Sequence, residues 1–206
     1  MSAGKDRTKA NLGASWESVL DGLHANWDRA NRLSIFRTPP PMKVIGRVPS
    51  LRKRKGFGSK PPPPDYRCVY LGAGPPDYAA TDRGMALLFD AKEARGDRWD
   101  FAHLAEHQAE RFDRHEVHGV DEDGTRRGLA FVLLRLTGEH GIGADVYVLP
   151  WRELGPRWRA WSAATGRASA GGASVKPSTE PWALRVPAAA LDWLAVVRTL
   201  YPRSIL

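Results

Sequence analysis

The sequence predicts an α/β fold, a mixed central sheet flanked by helices, with a basic, proline-rich segment inserted between strands. Three observations carry that expectation. Apolar residues recur at helical spacing near the N-terminus, after Asp100 and before Tyr201. Alternating or continuous apolar runs fill the stretches between them. The resulting order of helix, strands, helix, strands, helix is that of a layered α/β domain. At 206 residues and 42% hydrophobic content, the chain is long enough for one domain, 1–206, with a real core, and too apolar for wholesale disorder.

Each element has its own signal. Ser15 is placed to cap a first helix in which Trp16, Val19, Leu20, Leu23 and Trp27 share a face. Residues 33–37 read as a short strand, interrupted by Pro39, Pro40 and Pro41 and resumed over 42–48. Another strand is expected over 68–71. Residues 76–81 and 85–91 read as a strand pair joined at Asp82, Arg83 and Gly84. A helix is expected from about Asp100, with Phe101, Leu104, Gln108 and Phe112 at helical offsets. Buried strands follow over 128–136 and 143–149, then a Gly-, Ser- and Pro-rich loop over 165–181. A last helix over 187–201 would bury Leu191, Leu194, Val197 and Tyr201, and the eight tryptophans are expected mostly in the core or an interface.

The inserted segment, 46–74, dominates the charge. Residues 39–76 hold ten of the sixteen prolines, and the cations Lys43, Arg47, Arg52, Lys53, Arg54, Lys55, Lys60 and Arg67 stand against the single acid Asp65. Nearly all of the net charge of +8 therefore resides there. Such a balance points to nucleic acid or an anionic membrane surface. Strand signals on both sides favour a projection over a loose linker, since proline-rich chain is stiff and extended. The single cysteine, Cys68, excludes an internal disulfide and suggests a reducing compartment. The first fifteen residues lack the apolar core of a signal peptide, and no apolar run approaches the ~20 residues of a membrane helix. A soluble, cytoplasmic protein with no membrane partner is expected.

The chemistry concentrates in Pro76-Asp77 and Asp90-Ala91-Lys92. Asp90 and Lys92 are two apart on a strand, so they point to one face, and a hairpin can bring Asp77 alongside. Two close carboxylates suit Mg²⁺, which takes oxygen ligands and keeps several waters. Bound there, such an ion lowers the pKa of a water and polarises a phosphoryl oxygen, while Lys92 can orient the water and offset phosphate charge.

This arrangement resembles the PD-(D/E)xK nuclease superfamily. Over most of its length the chain is similar to the RecU-type Holliday junction resolvases. Pro76-Asp77-Tyr78 matches the start of their first catalytic strand, and Phe89-Asp90-Ala91-Lys92-Glu93 their Phe-Glu-Ala-Lys-Glu strand. Glu106-His107-Gln108 matches the following His-Gln helix, and Phe131-Val132 and Val146-Tyr147 two later core strands. Glu17 falls where the family has a glutamate on its first helix, and the basic insertion falls where the family has its stalk. The resemblance implies a nuclease-like fold, a homodimer, Mg²⁺ with Mn²⁺ as substitute, and nicking of two opposed strands of a four-way DNA junction. It implies Asp77, Asp90, Lys92, Glu17 and Gln108 as catalytic residues, and Asp77, Asp90 and the Ala91 carbonyl as metal ligands. It also assigns DNA binding to the stalk cations. The chain departs from the family in three respects. Asp90 stands for the usual glutamate, Pro75 and Pro76 for threonines, and the stalk sequence is its own.

Other patterns weigh less. His103-Leu104-Ala105-Glu106-His107 fits H-x-x-E-H, which on one helix could bind Zn²⁺, but no third ligand is evident. Gly56-Phe57-Gly58-Ser59-Lys60 lacks phosphate-loop spacing. His115 and His118 sit among charges, and His140 lies in a glycine-flanked loop. Two further readings remain open: a nuclease of repair or restriction type for another DNA, and a non-catalytic DNA-binding module on the same fold. Retention of Asp77, Asp90 and Lys92 together argues against the second.

Overall fold

The computed structural model describes residues 8–38, 42–48, 65–70, 76–120, 122, 124, 127–138, 144–165, 173–188 and 190–201, with 8–15, 42–48, 65–70 and 165 described by backbone alone. A six-stranded sheet is sandwiched between two helical layers. Its strand order is β1 (Ile35–Arg37), β4 (Tyr78–Asp82), β5 (Met85–Arg95), β7 (Gly128–Thr137), β8 (Ala144–Pro150) and β10 (Leu184–Val186). All neighbours are antiparallel except β5 and β7. That pair is parallel because helix α2 (Glu106–His118) makes the crossover between them. Two-stranded ribbons complete the set: β2 (Met42–Val48) with β3 (Asp65–Tyr70), and β6 (Trp99–Asp100) with β9 (Ser174–Val175).

Strand periodicity divides the core. On β7, Leu129, Phe131 and Leu133 face one layer and Ala130, Val132, Leu134 and Leu136 the other. The first layer holds α1 (Thr8–Arg29) and the short α4 (Trp193–Val197), whose Trp193 is fully buried among Trp27, Phe89 and Phe131. The second holds α2 and α3 (Trp151–Thr165), where Phe112, Trp151 and Trp158 pack against the even-numbered residues of β7. Six tryptophans are buried: Trp16, Trp27, Trp99, Trp151, Trp158 and Trp193. No helix among the described residues is long and apolar enough to cross a membrane.

The β4–β5 hairpin turns through Arg83 and Gly84, both at positive φ (51° and 80°). That is the twist-matched two-residue turn for which glycine is favoured. Asp82, at the end of β4, is buried and accepts hydrogen bonds from Arg198 Nε (2.8 Å), Arg198 Nη2 (2.7 Å) and Tyr201 Oη (2.6 Å). These bonds pin the C-terminal turn to the hairpin.

Several expected boundaries are corrected. Helix α1 begins at Thr8, so Ser15 lies inside it and is not at its N-terminus. Lys9, Ala10 and Leu12 favour that extension. Val19 is 45% exposed, and the buried stripe is Trp16, Leu20, His24 and Trp27. No helix starts at Asp100. Instead β6 pairs with β9, and the Asp100 side chain accepts from Ala102 N to cap a single 3₁₀ turn, Phe101–His103. Leu104 and Ala105 are extended, and α2 starts at Glu106. The stretch 165–181 contains β9 and a 3₁₀ turn, Pro177–Thr179. The last helix starts at Trp193, because Leu191 takes a positive φ and Asp192 caps by accepting from Ala195 N (3.0 Å). Helix α3 is not anticipated by the sequence pattern. Pro156 sits inside it, and Gly155 lies so close to Trp151 that an added Cβ would come within 2.8 Å of the ring.

Candidate active site

Asp77 immediately precedes β4, and Asp90 and Lys92 lie on the α2 side of β5. The β4–β5 pairing stops at Tyr78 and Phe89. Beyond it, side chains take over the ladder. Asp77 N donates to Asp90 Oδ1 (3.2 Å), and Ala91 N donates to Asp77 Oδ2 (3.0 Å). Each aspartate thus caps the backbone that carries the other. In an extended strand a residue's N–H and C=O point the same way. The Ala91 carbonyl therefore lies on the Asp77 side.

Gln108, in the first turn of α2, ties the group to the helix. Its Nε2 donates to Asp90 Oδ1 (3.0 Å), and its Oε1 accepts from Ala105 N (3.2 Å) and Lys92 Nζ (3.4 Å). The contact to Ala105 is the reach-back half of a capping box, so the bond that starts the helix also orients the amide. Lys92 Nζ is 2.5 Å from Asp90 Oδ2. That oxygen is sealed from solvent and has no hydrogen bond of normal geometry. Asp90 is fully buried, whereas the Lys92 side chain keeps 20% of its surface.

The electrostatics are strained. The Asp77 carboxyl is pushed up to about 7, first by burial and then by the adjacent Asp90 charge, with Lys92 and the Ala91 N–H pulling the other way. A divalent cation fits this donor set. It would relieve the repulsion between two adjacent buried acids that one lysine only partly offsets.

Glu17 lies on α1. It is ion-paired with Arg37, which also donates to Asp21 Oδ2 (3.1 Å), and Tyr78 Oη donates to Asp21 Oδ1 (2.9 Å). Among the described residues no group of three His, Cys, Asp or Glu side chains could hold a metal, so the carboxylate pair stands without Glu17 as a third member. The same finding, with His103 on the 3₁₀ turn and His107 on α2, removes the shared helix face that H-x-x-E-H would need for Zn²⁺. His115 Nε2 lies 3.0 Å from Ala86 O, and is therefore not merely a solvated residue.

Of the cations expected to bind DNA, Lys43, Arg47 and Arg67 lie on the β2–β3 ribbon, with Arg47 opposite Tyr66 and Arg67 opposite Gly46. Arg52, Lys53, Arg54, Lys55 and Lys60 lie outside the described residues, as does His140. One contact at the site is not anticipated by the sequence. Thr38 N donates to Asp77 O (2.9 Å), and Thr38 Oγ1 donates to Pro76 O. A threonine next to three prolines carries no signal of that role. No protein-family model matches this sequence, and no curated protein matches it either.

Proposed function

We propose that this protein is a metal-dependent endonuclease of the PD-(D/E)xK type that acts as a homodimer on four-way DNA junctions. One observation carries the reading. Asp77 and Asp90 are held against each other at the open end of a hairpin, with Lys92 on the same strand face as Asp90 and ion-paired with it. A surface hairpin with scattered charges would separate and solvate those groups, because uncompensated burial of like charges is costly. The α/β sandwich and the crossover through α2 agree with a nuclease-like fold.

Asp77 and Asp90, with the Ala91 carbonyl, would hold Mg²⁺ or Mn²⁺. When bound, the cation supplies an activated water and a Lewis acid for the phosphoryl oxygen. Gln108 fixes the Asp90 carboxylate and the Lys92 ammonium relative to each other. Lys92, whose side chain keeps 20% of its surface, can steady the attacking water and offset charge developing on the phosphate. Hydrolysis in this manner is expected to leave 5′-phosphate and 3′-hydroxyl ends.

The antiparallel ribbon β2–β3 supports the stalk reading of the insertion, since it pairs the chain on either side of 49–64. Cations there suit phosphates crowded at a junction centre. Two copies related by a twofold axis would match the near-twofold symmetry of an open junction.

The test is direct. End-labelled four-way junction and linear duplex are incubated with protein and Mg²⁺, alongside Asp77→Asn and Asp90→Asn. Symmetric junction nicks by the wild type alone, with junction binding retained by both variants, are the expected result. Normal turnover by either variant would end the assignment. Cutting of duplex as readily as junction would leave a nuclease of another specificity.

A further inference from the structure

Helix α2 packs over β7 and β5. Farther across the same face of the sheet, on β4 and β1, Thr81 is exposed, Ala79 is half-buried and Phe36 is 66% exposed. Among the described residues the exposed large hydrophobics are Val19, Phe36, Val117 and Val120, so Phe36 is the one aromatic of the set. Its neighbours along β1 turn the other way. Ile35 packs into the α1 layer, and Arg37 pairs with Glu17 and Asp21 on α1. Phe36 therefore stands on the α2 side of the sheet. That is the face of the carboxylates. Phe36 is opposite Ala79, Ala79 is opposite Leu88, and Leu88 packs against the α2 layer. One pleat along lie Asp77, two residues before Ala79, and Asp90, two residues after Leu88. The bond from Thr38 N to the Asp77 carbonyl (2.9 Å) continues the β1–β4 register to that point. Phe36 and Asp77 are thus diagonal neighbours across the strand pair, with Cβ atoms roughly 7–8 Å apart.

We infer that the Phe36 ring stacks on a DNA base next to the scissile phosphate and favours nucleotides whose base has a free face. This rests on the nuclease reading above. With the phosphate at the carboxylates, the sugar and base joined to it extend within reach of a ring one pleat away. Covering an exposed ring is favourable, and a flat ring is best covered by another flat one. A ring face accepts any base, so the contact selects unstacked bases and not a sequence. In continuous duplex each base lies between two neighbours, and offering a face costs unstacking. A base at a branch point already has one face free. Phe36 therefore rewards branched DNA over duplex through a contact separate from the phosphate-binding cations.

The test compares wild type with Phe36→Ala, Phe36→Leu and Phe36→Trp in single-turnover junction cleavage at subsaturating protein. Nicks are mapped on the wild type. Junctions are then built with an abasic analogue at the nucleotide on either side of the nick. Phe36→Ala should cut more slowly by about five- to a hundred-fold, the scale of one lost base–aromatic stack. Phe36→Leu keeps an apolar side chain without a ring face and should fail as alanine does, whereas Phe36→Trp should keep the wild-type rate. At one of the two positions the abasic analogue should slow the wild type by the same factor and leave Phe36→Ala unchanged, because one contact can be lost only once. Mn²⁺ affinity by electron paramagnetic resonance and melting temperature should be those of the wild type in all three variants. Wild-type cleavage by Phe36→Ala would overturn the inference and leave the nuclease intact. So would an abasic penalty of equal size in wild type and Phe36→Ala, or a loss of Mn²⁺ affinity in Phe36→Ala. Full activity of Phe36→Leu would also overturn it, and would mark the ring as a surface covered by protein. A wild type that does not nick junction DNA, or nicks it no better than Asp77→Asn, would overturn the nuclease reading itself, and this inference with it.

Discussion

Replacing Asp77 by asparagine is expected to make the protein more stable while removing its activity. In the folded state the Asp77 carboxyl is raised from 3.8 to about 7 by burial and by Asp90. In the unfolded chain it ionises near its ordinary value. Folded protein thus keeps a proton that unfolded protein has lost, and stability falls as the pH rises from about 4 to about 7. At 1.36 kcal/mol per unit, the penalty above that window is roughly 4 kcal/mol at most. Partial exposure of Asp77 to solvent lowers the working figure to about 2–3 kcal/mol. The carboxamide carries no charge, its oxygen can still accept from Ala91 N, and its NH₂ can donate to Asp90. In chelator at about pH 8, Asp77→Asn should therefore exceed the wild type by about 2–3 kcal/mol in urea titration. That corresponds to roughly 4–10 °C in melting temperature for a domain of this size. The gap should close near pH 4, where the wild-type carboxyl is protonated in both states. Millimolar Mg²⁺ should stabilise the wild type and leave Asp77→Asn nearly unmoved, because binding to the native state alone raises stability. A variant no more stable than the wild type at pH 8, or a gap that does not depend on pH, would refute the repulsion argument.

Three other outcomes are expected. Lys92→Ala should slow single-turnover cleavage by about 100-fold, the scale of a lost transition-state contact of ~3 kcal/mol, without weakening junction binding; full activity at saturating metal would contradict it. His24, buried among Trp27, Tyr78, Phe89 and Trp193, is lowered from 6.5 to about 4 by burial, and its Nε2 has no hydrogen bond. Stability from this group is full above about pH 6.5 and is lost as the pH falls toward 4, by about 3 kcal/mol. In urea titrations the stability of the wild type relative to His24→Leu should fall by about 3 kcal/mol between pH 7 and pH 4, the Asp77 contribution being common to both proteins. Replacing Arg52, Lys53, Arg54 and Lys55 together by alanine should weaken junction binding more than duplex binding. It should also flatten the salt dependence by roughly 3 to 4 units of log K per log salt. Equal losses on the two DNAs at two salt concentrations would mark a diffuse tether.

Local side-chain order determined much of this protein. The continuous apolar runs over 128–136 and before Asp90 favour buried strands. The Arg83-Gly84 turn pairs the strands that carry the two acids, and the two-residue spacing of Asp90 and Lys92 sets them on one face whatever the rest of the chain does. Only the tertiary structure decided the rest, because the deciding partners are far away in sequence. Helix α3 forms despite Pro156 because Trp151, Leu154 and Trp158 bury against β7 and β8. Helix α2 starts late because Trp99 and Asp100 pair with a strand more than seventy residues on. Glu17 forms an ion pair with Arg37, on the edge strand, that order along the chain does not announce. Gln108 reaches Asp90 only because the crossover lays α2 over β5. Thr38 meets Asp77 only because β1 pairs with β4, which sets Arg37 opposite Tyr78. Periodicity reports which face of an element is apolar. It does not report which element will cover that face, and at this site the covering helix supplies the Gln108 amide that ties Asp90 to Lys92.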